Sequence, residues 1–146
     1  MFGHYQTFEI PLIHILHRLH QLFHSQGGFF QCLQFLIGQV YFYYLFYSGN
    51  GAWTANYAVG YAVSESPSGG FVKHAGNPIL DLRCGLPGPG HCAVVRNFRG
   101  SGHSMFFHVK IAQGEGWERR LCRTPLRFCG PPGEETAQAA CMPARK

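Results

Sequence analysis

The sequence predicts an all-β chain. Charged residues make up 13% of the 146 positions and aromatic residues 15%, and there are 19 glycines and 9 prolines. Aromatic residues are enriched in strands, whereas glycine and proline are typical of turns. A second observation is the succession of short apolar runs separated by glycine-rich segments after residue 40. Together these features favour strands joined by turns over helices.

The strands differ in the burial that their patterns predict. Tyr41–Tyr47 is apolar or aromatic at every position, which predicts a strand buried on both faces. Tyr57–Val63 alternates large and small residues, so one face is expected to pack deeply and the other to allow close backbone approach. Glu65–Gly70 has the composition of a turn. Further strands are predicted at His91–Val95, Met105–Val109 and, from a weaker pattern, Arg119–Arg123.

A faint internal repeat supports an array of similar units. Leu45–Ser48 recurs as Met105–His108, and each copy is followed by Gly-x-Gly and a tryptophan, Trp53 in the first copy and Trp117 in the second. Four strands with their turns need roughly 35 to 60 residues, so a repeat of this spacing suits propeller blades. In an aromatic-rich chain such a match also arises by chance.

The two ends of the chain have different compositions from the middle. Residues 1–40 are rich in His, Gln and Leu, and Ile10–Phe23 carries apolar residues at helical spacing. His17, His20 and His24 share that spacing and could hold a metal, although such faces are more often solvated. Residues 129–146 are rich in Pro, Gly and Ala without a period, which predicts a disordered tail. The strand-forming region is 41–128.

Charge and cysteine content exclude several classes of function. The net charge is +5, but the basic residues are scattered, which argues against nucleic-acid binding. No run approaches the roughly 18 to 20 apolar residues of a membrane span, and no export signal is readable. The six cysteines permit three disulfides, yet separate thiols are the preferred interpretation. The absence of a CxxC pair argues against a structural zinc site.

An ordered set of motifs carries a family resemblance. The motifs are Tyr43–Gly51, Tyr57–Ala62 with Ser64, Ser66–Gly69, Asn77-Pro78-Ile79-Leu80 and Gly88-Pro89-Gly90-His91. In this order and spacing the set resembles the C-terminal part of glycoside hydrolase family 43, over about Tyr41 to Phe128. The resemblance implies a partial five-bladed β-propeller of about two blades. It also implies a parent enzyme that hydrolyses arabinose- or xylose-containing polysaccharides with inversion.

The resemblance suggests three site residues. The histidine of the Gly-Pro-Gly-His motif lies on the propeller axis in that family and helps to hold calcium, so His91 is the candidate metal residue and calcium the implied cofactor. A loop histidine without a ligand role is the alternative. Trp53 and Asn50 follow a buried strand on the substrate-facing side, where a ring can stack on a sugar and an amide can bind hydroxyls. Trp53 packed against a neighbouring blade is the alternative for that residue.

The family's catalytic carboxylates are missing from this sequence. Counting back from Tyr43 to the family's general acid leads to Cys32-Leu33-Gln34, and no Asp or Glu occurs between Ile10 and Gly60. The general base and a third aspartate belong to earlier blades. A shifted reading frame or mispredicted start would explain residues 1–40. We therefore expect a fragment that is inactive alone, no catalytic residue, and self-association through uncovered blades; a non-catalytic carbohydrate-binding or oligomerising module is the alternative.

Overall fold

The computed structural model describes residues 33–38, 42–98, 102–111, 118–131 and 135–140, with only the backbone for 33–38. Its strands form two four-stranded antiparallel sheets, each in chain order. The first sheet contains β1 (Leu33–Gly38), β2 (Tyr43–Gly49), β3 (Ala58–Ser64) and β4 (Val72–Lys73); the second contains β5 (Gly90–Arg96), β6 (His103–Lys110), β7 (Arg119–Cys129) and β8 (Thr136–Ala139). The predicted all-β fold of about two propeller blades is confirmed. A 3₁₀ helix at Leu82–Cys84 joins the sheets.

The aromatic strand β2 is buried on both faces, as its composition predicts. All residues from Tyr44 to Ser48 are buried. Their register with β3 runs from Tyr43 opposite Ser64 to Gly49 opposite Ala58, and β1 pairs with the other edge of β2. Because both edges of this strand are paired, its backbone groups find partners within the sheet.

Gly60 in β3 provides the close approach that the large–small alternation predicts. A Cβ atom at Gly60 would lie 3.0 Å from Asn77 Cγ and 3.1 Å from Tyr47 Cζ. In that space the Asn77 Nδ2 group donates to Tyr61 O at 2.7 Å, while Asn77 Oδ1 accepts from Tyr61 N at 3.0 Å. The Asn-Pro-Ile-Leu motif therefore pairs with the backbone of β3 as a further strand would, and its role is structural.

The two sheets share one core. The first sheet contributes Tyr44, Phe46, Val59 and Tyr61, and the second contributes Val94, Met105, Phe107, Leu126 and Ala137. Two tyrosine hydroxyls satisfy backbone groups across the sheets: Tyr44 donates to Glu135 O at 2.7 Å, and Tyr61 accepts from Ala137 N at 3.1 Å. Burial, followed by the charge of Glu135, raises the pKa of Tyr44 to about 12.

The structure moves both boundaries of the strand-forming region. Leu33–Gly38, which we assigned to the atypical segment, is a strand because it pairs with β2. Thr136–Ala139 is a strand because it pairs with the end of β7, so the prediction of a disordered tail is wrong for these residues. β7 is also longer than predicted. The predicted helix at Ile10–Phe23 and its histidines lie outside the described residues.

The prediction of separate thiols is wrong for Cys84 and confirmed for Cys122 and Cys129. Cys84 takes part in a disulfide, whereas Cys122 and Cys129 are thiols. Spacing alone cannot reveal such a bond, because pairing depends on which strands the fold brings together. In the part of the chain that the structure describes, no helix has the length and apolar character needed to cross a membrane.

We expect Tyr61→Phe to destabilise the chain. The change leaves the buried Ala137 N–H without its acceptor, which costs about 1 to 3 kcal/mol. The matched control is Tyr43→Phe on the neighbouring strand, whose half-buried side chain lies outside the shared core; its effect should stay within about 0.5 kcal/mol. Urea unfolding followed by circular dichroism measures both, and equal losses would contradict this account of the core.

Candidate functional site

The Gly-Pro-Gly-His segment begins the second sheet, and both of its glycines are required sterically. Gly88 has φ of 55° and a Cβ there would lie 2.8 Å from Thr54 O. A Cβ at Gly90 would lie 1.9 Å from Tyr57 Cε1, so the tyrosine ring rests directly on the glycine backbone. Pro89 between them is fully buried. The motif thus allows the two sheets to approach each other where His91 begins to project.

His91 lies at a β-bulge in a left-handed conformation. The register of β5 with β6 shifts between Gly90 and Ala93, and His91 has φ of 51°. Its backbone N–H donates to Ser48 Oγ at 3.0 Å, and the Ser48 side chain is completely buried. A non-glycine residue in this conformation carries strain, and bulges of this kind often redirect a side chain beside an active site. The imidazole of His91 is exposed to solvent.

The loop at 50–56, between β2 and β3, carries the other two predicted residues. Asn50 Nδ2 donates to Asn56 O at 2.7 Å, so this amide closes the loop. Thr54 donates from its backbone N–H and from Oγ1 to Gly51 O, at 2.9 Å each. Trp53 at the turn remains 45% exposed. The residue is therefore partly accessible to solvent, and a sugar contact and packing against a neighbouring blade both stay predictions for it.

Two cations from the second sheet hold this loop through its carbonyl groups. Lys110 is 2% exposed and its Nζ donates to Trp53 O. Arg119 Nη2 donates to Ala52 O at 3.0 Å. A backbone hydrogen bond from Gly88 to Ala55 O at 2.8 Å adds a third attachment. The main chain of the loop is fixed to the second sheet while the Trp53 side chain stays exposed.

His108 joins the site although the sequence analysis did not select it. Its ring centroid lies 6.1 Å from that of His91 and 6.0 Å from that of Tyr57. Burial, followed by the charges of Arg119, His91 and Lys110, lowers the pKa of His108 to about 4. Its Nε2 atom is buried and has no hydrogen-bond partner in the described segments. The repeat that ends at His108 was the available signal, but it indicated only a strand.

The acidic residues of the described segments do not converge on His91. Glu65 follows Ser64, which pairs with Tyr43 at the start of β2, and Glu135 O accepts a hydrogen bond from Tyr44 close to the same point. Both glutamates therefore lie at the start of β2, whereas Ser48 lies near its other end. Both carboxylate oxygens of Asp81 accept hydrogen bonds from Arg83. Glu118 is exposed just before β7. Within the described segments, no group of three His, Cys, Asp or Glu side chains is placed to hold a metal.

Similar proteins were found among solved structures. A thermostable family-43 glycoside hydrolase shares 32% identity over 71% of this chain and 33% of its own, with a TM-score of 0.63. An endo-1,4-β-xylanase from Bacteroides thetaiotaomicron shares 29% identity over 73% of this chain and 36% of its own, with a TM-score of 0.64. An endo-1,5-α-L-arabinanase from Thermotoga petrophila, at 18% identity and a TM-score of 0.54, shares the fold.

The chain spans about a third of the length of the first two structures, which is the extent expected of a partial propeller. Neither a protein-family model nor a curated protein sequence matches it.

Replacing His91 should separate backbone strain from side-chain function. Glycine adopts φ of 51° without the steric cost that a Cβ atom imposes, whereas alanine retains that cost. We expect His91→Gly to be more stable than His91→Ala by about 1 kcal/mol. Thermal melts of the two variants test this, and an alanine variant as stable as the glycine variant would contradict the left-handed assignment.

The stability of the chain should depend on His108 in mildly acidic solution. Because the folded pKa is lowered to about 4, the unfolded chain takes up a proton at this histidine first as the pH falls. Stability is therefore fully present above the ordinary histidine pKa of about 6.5 and is lost as the pH falls toward about 4. The urea concentration at half-unfolding, measured across this pH window, should decline less steeply for His108→Gln than for the unaltered chain. Parallel declines in the two proteins would contradict this role of His108.

Proposed function

We propose, from the premise that this chain contains part of a family 43 glycoside hydrolase, that it is a catalytically incomplete propeller segment directed at arabinose- or xylose-containing polysaccharides. The observation that carries the proposal is the combination of 32% and 29% identity to two such hydrolases with a match to only about a third of each. Hydrolysis, with inversion, belongs to the complete enzyme.

The placement of the carboxylates supports catalytic incompleteness. Glycosidic hydrolysis by this route needs two carboxyl groups on either side of the scissile bond, one as acid and one as base. Near the His91 end of the sheets, the described segments offer Glu118, which is exposed, and Asp81, whose oxygens accept from Arg83. We therefore assign no catalytic residue.

Calcium does not fit the described residues by themselves. The ion takes six to eight oxygen ligands, mostly carboxylates, carbonyls and waters. Among the described residues, no group of three His, Cys, Asp or Glu side chains is placed to hold a metal ion. His91 remains our candidate for contacting a calcium ion or its hydration shell, and the oxygen ligands would have to come from other blades. No step of the proposed function uses the ion.

Carbohydrate contact is assigned first to Trp53. The Trp53 residue is 45% exposed, and Lys110 and Arg119 hold the main chain of its loop in place. A fixed, accessible aromatic ring suits stacking on the apolar face of a pentose. Asn50 supports the loop through its Nδ2 group and offers Oδ1 toward sugar hydroxyls. The second candidate function is a non-catalytic binding module that uses the same residues. It differs from the first in that the module does not belong to a complete enzyme that hydrolyses the sugar.

Hydrolysis assays test the first part of the proposal. Incubation of the purified chain with aryl arabinofuranosides and aryl xylosides should release no aryl group above the buffer rate, because we assign no catalytic pair of carboxyl groups to this chain. The Bacteroides thetaiotaomicron endo-1,4-β-xylanase, assayed on xylan, is the positive control for the preparation. If the unaltered chain turns over substrate and His91→Ala abolishes that turnover, the chain is not catalytically incomplete.

Binding assays test the second part. Titration with xylo- and arabino-oligosaccharides should quench tryptophan fluorescence, and Trp53→Ala should weaken binding about two- to tenfold, as expected for the loss of one stacked aromatic contact. The matched control is Trp117→Ala, which removes the other tryptophan of the chain. Equal weakening by both variants, or no effect of Trp53→Ala on measurable binding, would remove Trp53 from the site.

A further inference from the structure

Lys110 is a buried cation that the sequence analysis did not select. It is the last residue of β6, and only 2% of it is exposed. Lysine side chains normally stay in water, because removing the charge from water is costly unless the ammonium group finds hydrogen-bond acceptors. The burial of Lys110 therefore indicates a specific role for its ammonium group at this place in the fold.

The Lys110 side chain crosses from the second sheet to a loop of the first. Its backbone N–H donates to Pro87 O at 2.8 Å, just before the Gly-Pro-Gly-His segment. A Cβ at Gly88 would lie 3.2 Å from both Cδ and Cε of Lys110, so the aliphatic part of the lysine passes close over the glycine. The Nζ atom then donates to Trp53 O. One side chain thus connects β6, the segment that leads to His91 and the main chain of Trp53.

The segment that leads to His91 also contacts the 50–56 loop directly. The Gly88 N–H donates to Ala55 O at 2.8 Å. The loop that carries Trp53 and the segment that carries His91 are therefore fastened to each other and to the same lysine. A loss of this attachment would change the position of one candidate site residue relative to the other.

The pairing of Lys110 with Arg119 gives a second, independent indication of a role beyond the sheet. The two residues stand directly opposite each other in the register of β6 with β7. Like charges in this arrangement destabilise a sheet. Both donate to loop carbonyls, Lys110 to Trp53 O and Arg119 to Ala52 O. A local arrangement that is unfavourable for the sheet but is used by a neighbouring loop is typical of residues that serve a site.

We propose that Lys110 is a positioning residue for carbohydrate binding, which holds Trp53 in a fixed place relative to His91 without contacting the sugar. The inference rests on the proposed function, because it concerns the same sugar-binding residues. A loop that must become ordered when a ligand binds lowers the affinity, and a loop that is already fixed avoids this cost. Lys110 therefore raises the affinity for a pentose oligosaccharide through Trp53. Arg119, which is half-buried, is the weaker second attachment.

Lys110→Met tests the proposal, because methionine keeps an unbranched apolar side chain and removes the ammonium group. Affinity for xylo- and arabino-oligosaccharides, measured by isothermal titration calorimetry, should fall about two- to tenfold, the size expected when one more side chain has to be immobilised on binding. In a Trp117→Phe background the fluorescence reports Trp53 alone. There Lys110→Met should lower the fluorescence anisotropy and increase quenching by acrylamide, with no sugar present.

A double variant separates positioning from a general loss of stability. If Lys110 acts through Trp53, adding Lys110→Met to Trp53→Ala should weaken binding by less than about twofold beyond Trp53→Ala alone, because the two residues act as a coupled pair. A residue that supports the whole chain, or that contacts the sugar itself, would weaken binding by the same factor with and without Trp53. Circular dichroism establishes that each variant is folded.

Arg119→Gln provides a second variant if Lys110→Met does not fold. It removes the contact with Ala52 O from a half-buried position and should lower both affinity and Trp53 anisotropy, by less than Lys110→Met does. The matched control is Arg127→Gln, which removes the same functional group from an exposed position at the other end of β7. Its affinity and anisotropy should equal those of the unaltered chain.

The outcomes distinguish the role of Lys110 from sugar binding itself. Unchanged affinity and anisotropy in folded Lys110→Met would overturn the role of Lys110 and leave Trp53 as a sugar contact. Equal weakening with and without Trp53, or an Arg127→Gln variant as weak as Arg119→Gln, would also overturn it. If the unaltered chain binds none of the sugars, the proposed function fails and takes the positioning role with it, even where Lys110→Met still lowers the anisotropy.

Discussion

The contact between the Tyr57 ring and the Gly90 backbone determines the geometry of the candidate site. A Cβ at Gly90 would overlap the ring at 1.9 Å, so any other residue would force the two sheets apart at this end. The same ring stacks at 6.0 Å on His108, and Gly90 directly precedes the bulge at His91. One steric constraint thus fixes the start of β5, the position of two imidazoles and the approach of the sheets.

Electrostatics at this end of the molecule follow from that close packing. Lys110 and Arg119 donate to main-chain carbonyls of the 50–56 loop, so both cations stand at this end of the molecule. Burial first, and then the charges of Arg119, His91 and Lys110, lower the pKa of His108 to about 4. Lys110, Arg119 and the two imidazoles of His91 and His108 therefore lie together at this end of the molecule.

Local patterns in the sequence predicted the central strands well and their surroundings poorly. β2 and β3 were predictable because aromatic runs and large–small alternation report burial directly, and Gly60 behaved as expected. β8 was missed because a four-residue strand of Thr, Ala and Gln carries little hydrophobic pattern and exists through pairing with β7. The site showed the same limit: motif resemblance selected His91, whereas His108 became relevant only when folding placed it beside Tyr57 and His91.

The chain order of the strands has a consequence for how the molecule forms. Every paired strand in both sheets is the next one along the chain, so each sheet can assemble from neighbouring hairpins with short loops to close. The contacts between the sheets, such as Tyr44 with Glu135 and Tyr61 with Ala137, span 91 and 76 residues. Closing loops of that length costs more entropy, so docking of two preformed sheets is the expected slow step. A blade-sized unit that assembles locally in this way is also well suited to duplication and recombination between genes.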